Sequence, residues 1–79
     1  MLHRGDHAGA EAVAREAVQI ADRTDDPTAQ ADTRLVLAQV LMTADRRDES
    51  AVPVVEAIAL YEAKGNALGA AYARTQIVV

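Results

Sequence analysis

The chain has 79 residues, of which 51% are hydrophobic and 25% charged, and its formal net charge is −4 at pH 7. A chain of this length forms one domain at most, and its acidic balance argues against a duplex nucleic-acid binder, which neutralises phosphates with clustered Lys and Arg. The sequence contains no cysteine, which excludes disulfides, thiolate zinc sites and cysteine nucleophiles.

Alanine dominates the apolar residues. Eighteen residues are alanine, and the aromatic residues are limited to Tyr61 and Tyr72. This composition is typical of closely packed helices, not of a sheet sandwich or an aromatic-lined pocket. No apolar run approaches the ~20 residues of a membrane span, and the polar N-terminal stretch lacks a signal-peptide pattern. We therefore expect a cytoplasmic protein that does not bind membranes.

Two helices are predicted in the first half of the chain. The first runs from about Asp6 to Arg23 and the second from about Pro27 to Thr43. The first helix places apolar residues at helical spacing on one face: Ala10, Val13, Ala14, Ala17, Val18 and Ala21. Asp26 is the predicted cap of the second helix, a role that we favour over paired carboxylates formed with Asp25. The second helix is apolar nearly all round, which predicts that it lies between flanking helices.

Two more helices are predicted in the second half. The third begins at a cap that is either Asp48 or Ser50, so that Pro53 marks either a kink near Ala51 or a delayed start. Its predicted buried stripe is Val54, Val55, Ile58 and Tyr61. Gly65 fits the left-handed C-terminal cap. Asn66 is the predicted cap of a fourth helix, whose apolar residues are Leu68, Ala71, Tyr72, Ile77, Val78 and Val79.

An internal repeat appears when the chain is shifted against itself by 40 residues. The shift aligns Ala10, Ala14, Glu16 and Ala17 with Ser50, Val54, Glu56 and Ala57, and it aligns Ala31 and Arg34 with Ala71 and Arg74. Periods of roughly 30 to 47 residues with two helices per unit are typical of helical-hairpin repeats.

The residues of this repeat resemble a known family. The series Ala38, Leu41, Asp45, Ser50, Val54 and Ala57 has the small–large–turn–small–large–small order of a tetratricopeptide repeat. The stretches EAVAREAVQIADRTDDP and VVEAIALYEAKGNALGAAYAR are similar to tetratricopeptide-type regions of large bacterial signalling ATPases, cyclases and transcriptional regulators. The resemblance implies an all-α fold of four helices in antiparallel hairpins, a fragment of a right-handed α–α superhelix. It divides one domain, residues 1–79, into a half repeat (5–26), a full repeat (27–66) and a terminal helix (67–79).

The same resemblance implies a protein–protein interaction module, belonging to a larger regulatory protein, that binds a protein or peptide on the face formed by its second and fourth helices. The predicted partner-binding residues are Asp32, Leu35, Gln39, Met42, Tyr72 and Arg74. The alternative is a self-associating structural module that forms a homo-oligomer through its terminal helices, at Leu68, Ile77 and Val78. Whether the chain is a complete protein or a fragment stays open.

No constellation of residues indicates an enzyme, a cofactor or a metal site. His3 and His7 lie four residues apart, yet Gly5 lies between them and no third ligand is indicated, so surface histidines are favoured over a metal pair. Ser50 has no histidine nearby in the sequence, which makes nucleophilic catalysis implausible.

Four arginines leave alternatives open. Arg46 and Arg47 precede two acidic residues, which favours a solvated turn over a phosphate contact. Arg34 and Arg74 lie one repeat apart. Either they lay their aliphatic stems over adjacent helices, or their guanidinium groups grip an acidic partner.

Overall fold

The computed structural model describes residues 7–76, which form four α-helices and, within that range, no strand. The helices are α1 (His7–Asp22), α2 (Pro27–Thr43), α3 (Arg47–Lys64) and α4 (Ala67–Thr75). The predicted all-α class is therefore confirmed. α2 begins at Pro27 and α4 at Ala67, and these starts lie 40 residues apart, which is the shift at which the sequence repeats.

The predicted helix caps are confirmed at three positions. Asp26 accepts hydrogen bonds from the backbone N–H groups of Thr28 (3.1 Å) and Ala29 (3.3 Å), and Pro27 follows at the first helical position, where no N–H is needed. Gly65 ends α3 with φ 79°, a left-handed conformation that favours glycine. Asn66 caps α4 by accepting from the N–H of Gly69 at 2.8 Å.

The predicted start of α3 is wrong. The helix begins at Arg47, after Arg46, and its N-cap makes no side-chain capping bond. Asp45 turns the chain with φ 63°, so the connection is short and the helix begins before either predicted cap. Ser50 is a buried helical residue whose hydroxyl donates to the carbonyl of Arg47 at 2.7 Å.

Pro53 consequently lies inside α3, and the delayed start is excluded. A proline at this position has no N–H to donate to the carbonyl of Glu49, which normally weakens a helix. Pro53 is buried in the face of α3 that also contains Val54. The ring therefore contributes packing at the position where the helix lacks a hydrogen bond.

The helices pack in chain order, α1 on α2, α2 on α3 and α3 on α4, so the prediction that α2 lies between its neighbours is confirmed. Arg34 in α2 reaches Asp22 at the end of α1, and Arg46 after α2 reaches Glu11 near the start of α1, which makes α1 and α2 antiparallel. The main core cluster is Ala31, Leu35, Ala38, Val54, Ala57, Tyr61, Ala70 and Ala73. A second cluster between α1 and α2 is Ala14, Leu37 and Leu41.

Several residues predicted on apolar faces are exposed instead. Val13 in α1 and Val55 in α3 are 62% and 57% exposed, because the buried sides of these helices carry other residues, among them Ala14 and Val54. In α4 the buried residues are Ala70 and Ala73, and the larger Leu68 is 86% exposed. Alanines therefore fill many of the helix contacts beside the larger core residues, and several other large apolar side chains remain on the surface.

The buried Val54 gives a test of this core. Val54→Ala should lower the free energy of unfolding by about 2 kcal/mol, because methyl groups are lost and a cavity is left behind. Val52 lies two residues away in the same helix and is 61% exposed, whereas Val54 is 0% exposed. Val52→Ala should therefore change the unfolding free energy by less than about 0.5 kcal/mol. Urea unfolding followed by circular dichroism measures both, and equal effects would contradict the assignment of the core.

Candidate functional site

Three helices meet around the side chain of Tyr61. Its ring is 5% exposed, and its hydroxyl donates a hydrogen bond to Asp32 Oδ1 on α2. The phenol of Tyr72 on α4 lies near enough to act on Tyr61 electrostatically. The prediction that Tyr61 is buried between helices, with its hydroxyl at the rim, is thus confirmed. The structure brings Asp32 and Tyr72, two of the predicted partner-binding residues, close to Tyr61.

Burial raises the pKa of Tyr61 to about 12, and the hydrogen bond to Asp32, the charge of that carboxylate and the neighbouring Tyr72 act in the same direction. An ionised phenol would place a second negative charge beside the Asp32 carboxylate in a poorly solvated position. Tyr61 is therefore a neutral hydrogen-bond donor that orients Asp32.

Gly69 allows α4 to lie against the ring of Tyr61. A Cβ atom at this position would lie 2.7 Å from Tyr61 Cδ1 and 2.8 Å from Asn66 Nδ2. Neither neighbour moves easily, because Tyr61 is buried and hydrogen-bonded while Asn66 caps α4. The glycine thus sets how closely α4, and with it Tyr72, approaches the rest of the site.

The exposed face of α2 continues from this junction. Asp32, Val36, Gln39 and Thr43 are all exposed, and their i, i+4, i+7, i+11 spacing places them on one stripe of the helix. We call these four residues the α2 stripe. Val36 is 50% exposed, although it is not among the site residues predicted from the sequence. Its exposure could not be read from an apolar run that was expected to be buried.

The remaining predicted partner-binding residues lie elsewhere. Met42 is half-buried at the edge of the stripe. Leu35 is 6% exposed and belongs to the core cluster. Arg74 lies two residues after Tyr72, and residues at this spacing point to opposite sides of a helix. The structure therefore does not bring Leu35 or Arg74 to the surface shared by Asp32 and Tyr72.

Arg34 joins three helices. Its guanidinium group forms a two-pronged bond with Asp22 of α1 (2.8 and 3.0 Å) and a bond with Glu56 of α3 (3.1 Å). Its hydrogen bonds hold the pKa of Asp22 below the ordinary value. The side chain of Arg34 is only 16% exposed, so its guanidinium group binds carboxylates of this chain and is not free to bind an acidic partner.

Arg74 repeats half of this arrangement. It pairs with Glu62, 12 residues upstream, just as Arg34 pairs with Asp22, 12 residues upstream. Its side chain is 55% exposed. The aligned arginines of the internal repeat therefore make equivalent ion pairs to the preceding helix.

Arg46 forms a further cross-helix pair that the sequence analysis missed. It binds Glu11 of α1 and, at 2.6 Å, Glu49 of α3. A hydrogen bond from Arg46 lowers the pKa of Glu11, and a hydrogen bond from Arg15 lowers it further. The guanidinium of Arg46 is thus already bound by two carboxylates, which disfavours the phosphate contact.

The part of the chain that the structure describes offers no metal-binding group of three or more His, Cys, Asp or Glu residues. His7 is exposed at the start of α1, and His3 lies outside the described residues, as do Ile77 and Val78. No helix among residues 7–76 is long and apolar enough to cross a membrane.

Comparison of the chain with protein-family models, with curated proteins and with solved structures found no match.

The two repeat-related arginines provide a matched pair for mutation. Arg34→Met should lower the free energy of unfolding by about 1–2 kcal/mol, because it removes charge-assisted bonds that join three helices. Arg74→Met should cost less than about 0.5 kcal/mol, because its pair is solvent-exposed. Urea unfolding of both variants tests this difference, and a larger loss for Arg74→Met would contradict the role assigned to Arg34.

The raised pKa of Tyr61 predicts a pH dependence. A tyrosine in the unfolded chain titrates near 10.0, and in the fold this pKa is about 12. The folded state holds the proton more tightly, so the stabilisation is fully present below the unfolded pKa and is lost as pH rises through the folded pKa. The difference in unfolding free energy between wild type and Tyr61→Phe should therefore be constant up to about pH 10 and shrink toward pH 12. Urea unfolding at a series of pH values measures it; a constant difference across that interval would refute the assignment.

Proposed function

We propose that this chain is a protein-interaction module of tetratricopeptide-like type, within a larger regulatory protein, and that the α2 stripe together with Tyr72 binds a segment of a partner protein. The observation that carries the proposal is that Asp32, Val36 and Tyr72 are exposed and lie outside the core cluster, with Asp32 and Tyr72 both near Tyr61. Rigid helices supporting exposed polar and apolar side chains are a common basis for recognition of a helical or extended peptide.

The repeated geometry supports the tetratricopeptide-like assignment. The starts of α2 and α4 lie 40 residues apart, the caps Asp26 and Asn66 occupy equivalent positions, and Arg34 and Arg74 make equivalent ion pairs. Repeat proteins of this kind present extended surfaces that bind partners.

The chemistry of the α2 stripe indicates what the partner segment contains. Asp32 has no cation paired with it among residues 7–76; the bond described for its carboxylate comes from the neutral Tyr61 hydroxyl. A Lys or Arg of the partner would compensate this charge. Val36 and the half-buried Met42 offer apolar contact, and Tyr72 offers a rigid ring with a polar tip. The proposed partner is therefore a segment that combines a basic residue with apolar ones.

A second candidate is self-association of the chain into a homo-oligomer. Leu68 favours it, because a leucine that is 86% exposed on a helix gains from being covered by another surface. The other residues predicted for this interface, Ile77 and Val78, lie outside the described residues. That the chain is not an enzyme, and that it resides in the cytoplasm, both stay predictions.

An array of short peptides that vary in charge and apolar content tests the first candidate. Labelled wild-type protein should bind to those peptides of the array that combine Lys or Arg with apolar residues. Tyr72→Ala should weaken binding of the selected peptides about tenfold, as expected for loss of a central aromatic contact. Asp32→Asn keeps an acceptor for Tyr61 and should remove the preference for basic peptides.

The control is Val52→Ala, which removes an apolar side chain from an exposed position on α3, outside the α2 stripe. It should bind the selected peptides as wild type does. Peptides whose binding ignores both Tyr72→Ala and Asp32→Asn would exclude the proposed surface.

A further inference from the structure

One face of α4 is uncovered although the equivalent face of α2 is buried. Ala31 and Leu35 of α2 are 0% and 6% exposed in the core cluster shared with α3. Their equivalents in the 40-residue register are Ala71 and Thr75 of α4, and both are exposed. Leu68 lies on the same face, three residues before Ala71. The fold thus contains, on α4, a face of the kind that α3 covers on α2.

A complementary face of α1 is uncovered in the same way. Val13 and Ile20 are 62% and 54% exposed. Their equivalents in α3 are Pro53, which is buried, and Leu60, which packs against the core cluster. Two large apolar side chains on one side of α1 therefore lack the cover that their repeat equivalents have.

We propose that α4 of one molecule packs against α1 of a second copy of this chain, in the way that α2 packs against α3 within one molecule. Since α4 is the repeat equivalent of α2 and α1 is the equivalent of α3, the contact extends the internal repeat from one copy to the next. This inference rests on the second candidate function and gives the self-association its interface and polarity.

Charge complementarity across the proposed contact comes from the same register. Arg34 binds two carboxylates, Asp22 and Glu56. Arg74 binds Glu62, the equivalent of Asp22, and among residues 7–76 it has no second carboxylate. Glu16 is the equivalent of Glu56; it is exposed and makes no ion pair within those residues. In the assembly, Glu16 of a second copy supplies the missing partner of Arg74.

The side-chain sizes at the contact are also compatible. Within the molecule the small Asp32 faces the large Tyr61. At the equivalent positions of the proposed contact, Tyr72 faces Ala21 of the second copy, so one large and one small residue are retained. Thr75 replaces Leu35, and Ala14 and Ala21 are already 2% and 5% exposed within their own molecule, so the contact between copies buries less apolar area. The contact between copies is therefore weaker than the one between α2 and α3, and it depends on concentration.

The contact is heterologous, because it joins α4 of one molecule to α1 of another. Each added copy presents a new uncovered face, so the assembly grows beyond two copies unless the rotation closes a ring. Sedimentation velocity over a wide concentration range should show a mean mass that rises past that of a dimer.

Two variants with the same substitution test the α1 face. Val13→Glu should lower the association constant at least about tenfold, because it places an unpaired charge in the contact. Val52→Glu is the matched control, since Val52 is 61% exposed and Val13 is 62% exposed, and it should associate as wild type does. Circular dichroism verifies that both variants remain helical.

A charge exchange tests the pairing of Glu16 with Arg74. Glu16→Arg alone and Arg74→Glu alone should each associate less than wild type, because each creates a like-charge contact. An equimolar mixture of the two variants should regain association, since every contact between unlike copies then joins opposite charges. A symmetric contact of α4 with α4 would not respond to Glu16→Arg.

Wild-type protein that remains monomeric at every concentration would overturn the inference together with the second candidate. A dimer whose mass does not increase with concentration, and whose association constant is unchanged by Val13→Glu and by Glu16→Arg, would overturn the α4–α1 contact and leave self-association in place. Peptide binding by the α2 stripe is measured separately, so its failure is recognised independently of either result.

Discussion

Close contact between α2 and α3 at alanine positions is the constraint on which the rest of the structure depends. Ala31, Ala38 and Ala57 are all 0% exposed, so small side chains fill these contact positions beside the larger Leu35 and Val54 of the same cluster. Interiors must nevertheless be filled to a high density. Tyr61 supplies much of that volume beside the alanines, and Gly69 must then lack a side chain for α4 to pack against the ring.

Arginines form ion pairs between neighbouring helices at the edges of these interfaces. Arg34 and Arg46 each bind carboxylates from α1 and α3, and Arg74 binds the end of α3. Charge-assisted bonds between helices therefore contribute to the relative placement of the helices as well as to stability. The placement of Asp32 and Tyr72 at one surface follows from that arrangement.

The uncovered faces of α1 and α4 fit the proposal that the chain is built from repeated helical hairpins. A helical-hairpin unit cannot bury its apolar side by itself and relies on a neighbouring unit. The faces of α1 and α4 are of this kind, and they underlie the proposed contact between copies. The α2 stripe differs, since it is mixed in polarity and includes an uncompensated carboxylate, which suits recognition of another protein better than continuation of the array.

By itself, the sequence determined the all-helical class, the four helices among residues 7–76 and three of their caps, because glycine, proline and capping residues act locally and helical periodicity is visible over a few turns. It did not determine where α3 begins, since the left-handed turn at Asp45 replaced a side-chain cap. Only the tertiary structure decided that Leu35 is buried while Val36 and Leu68 are exposed. These outcomes depend on which side of each helix is covered by its neighbours. In a helix that is apolar nearly all round, the residue types do not show which side that is.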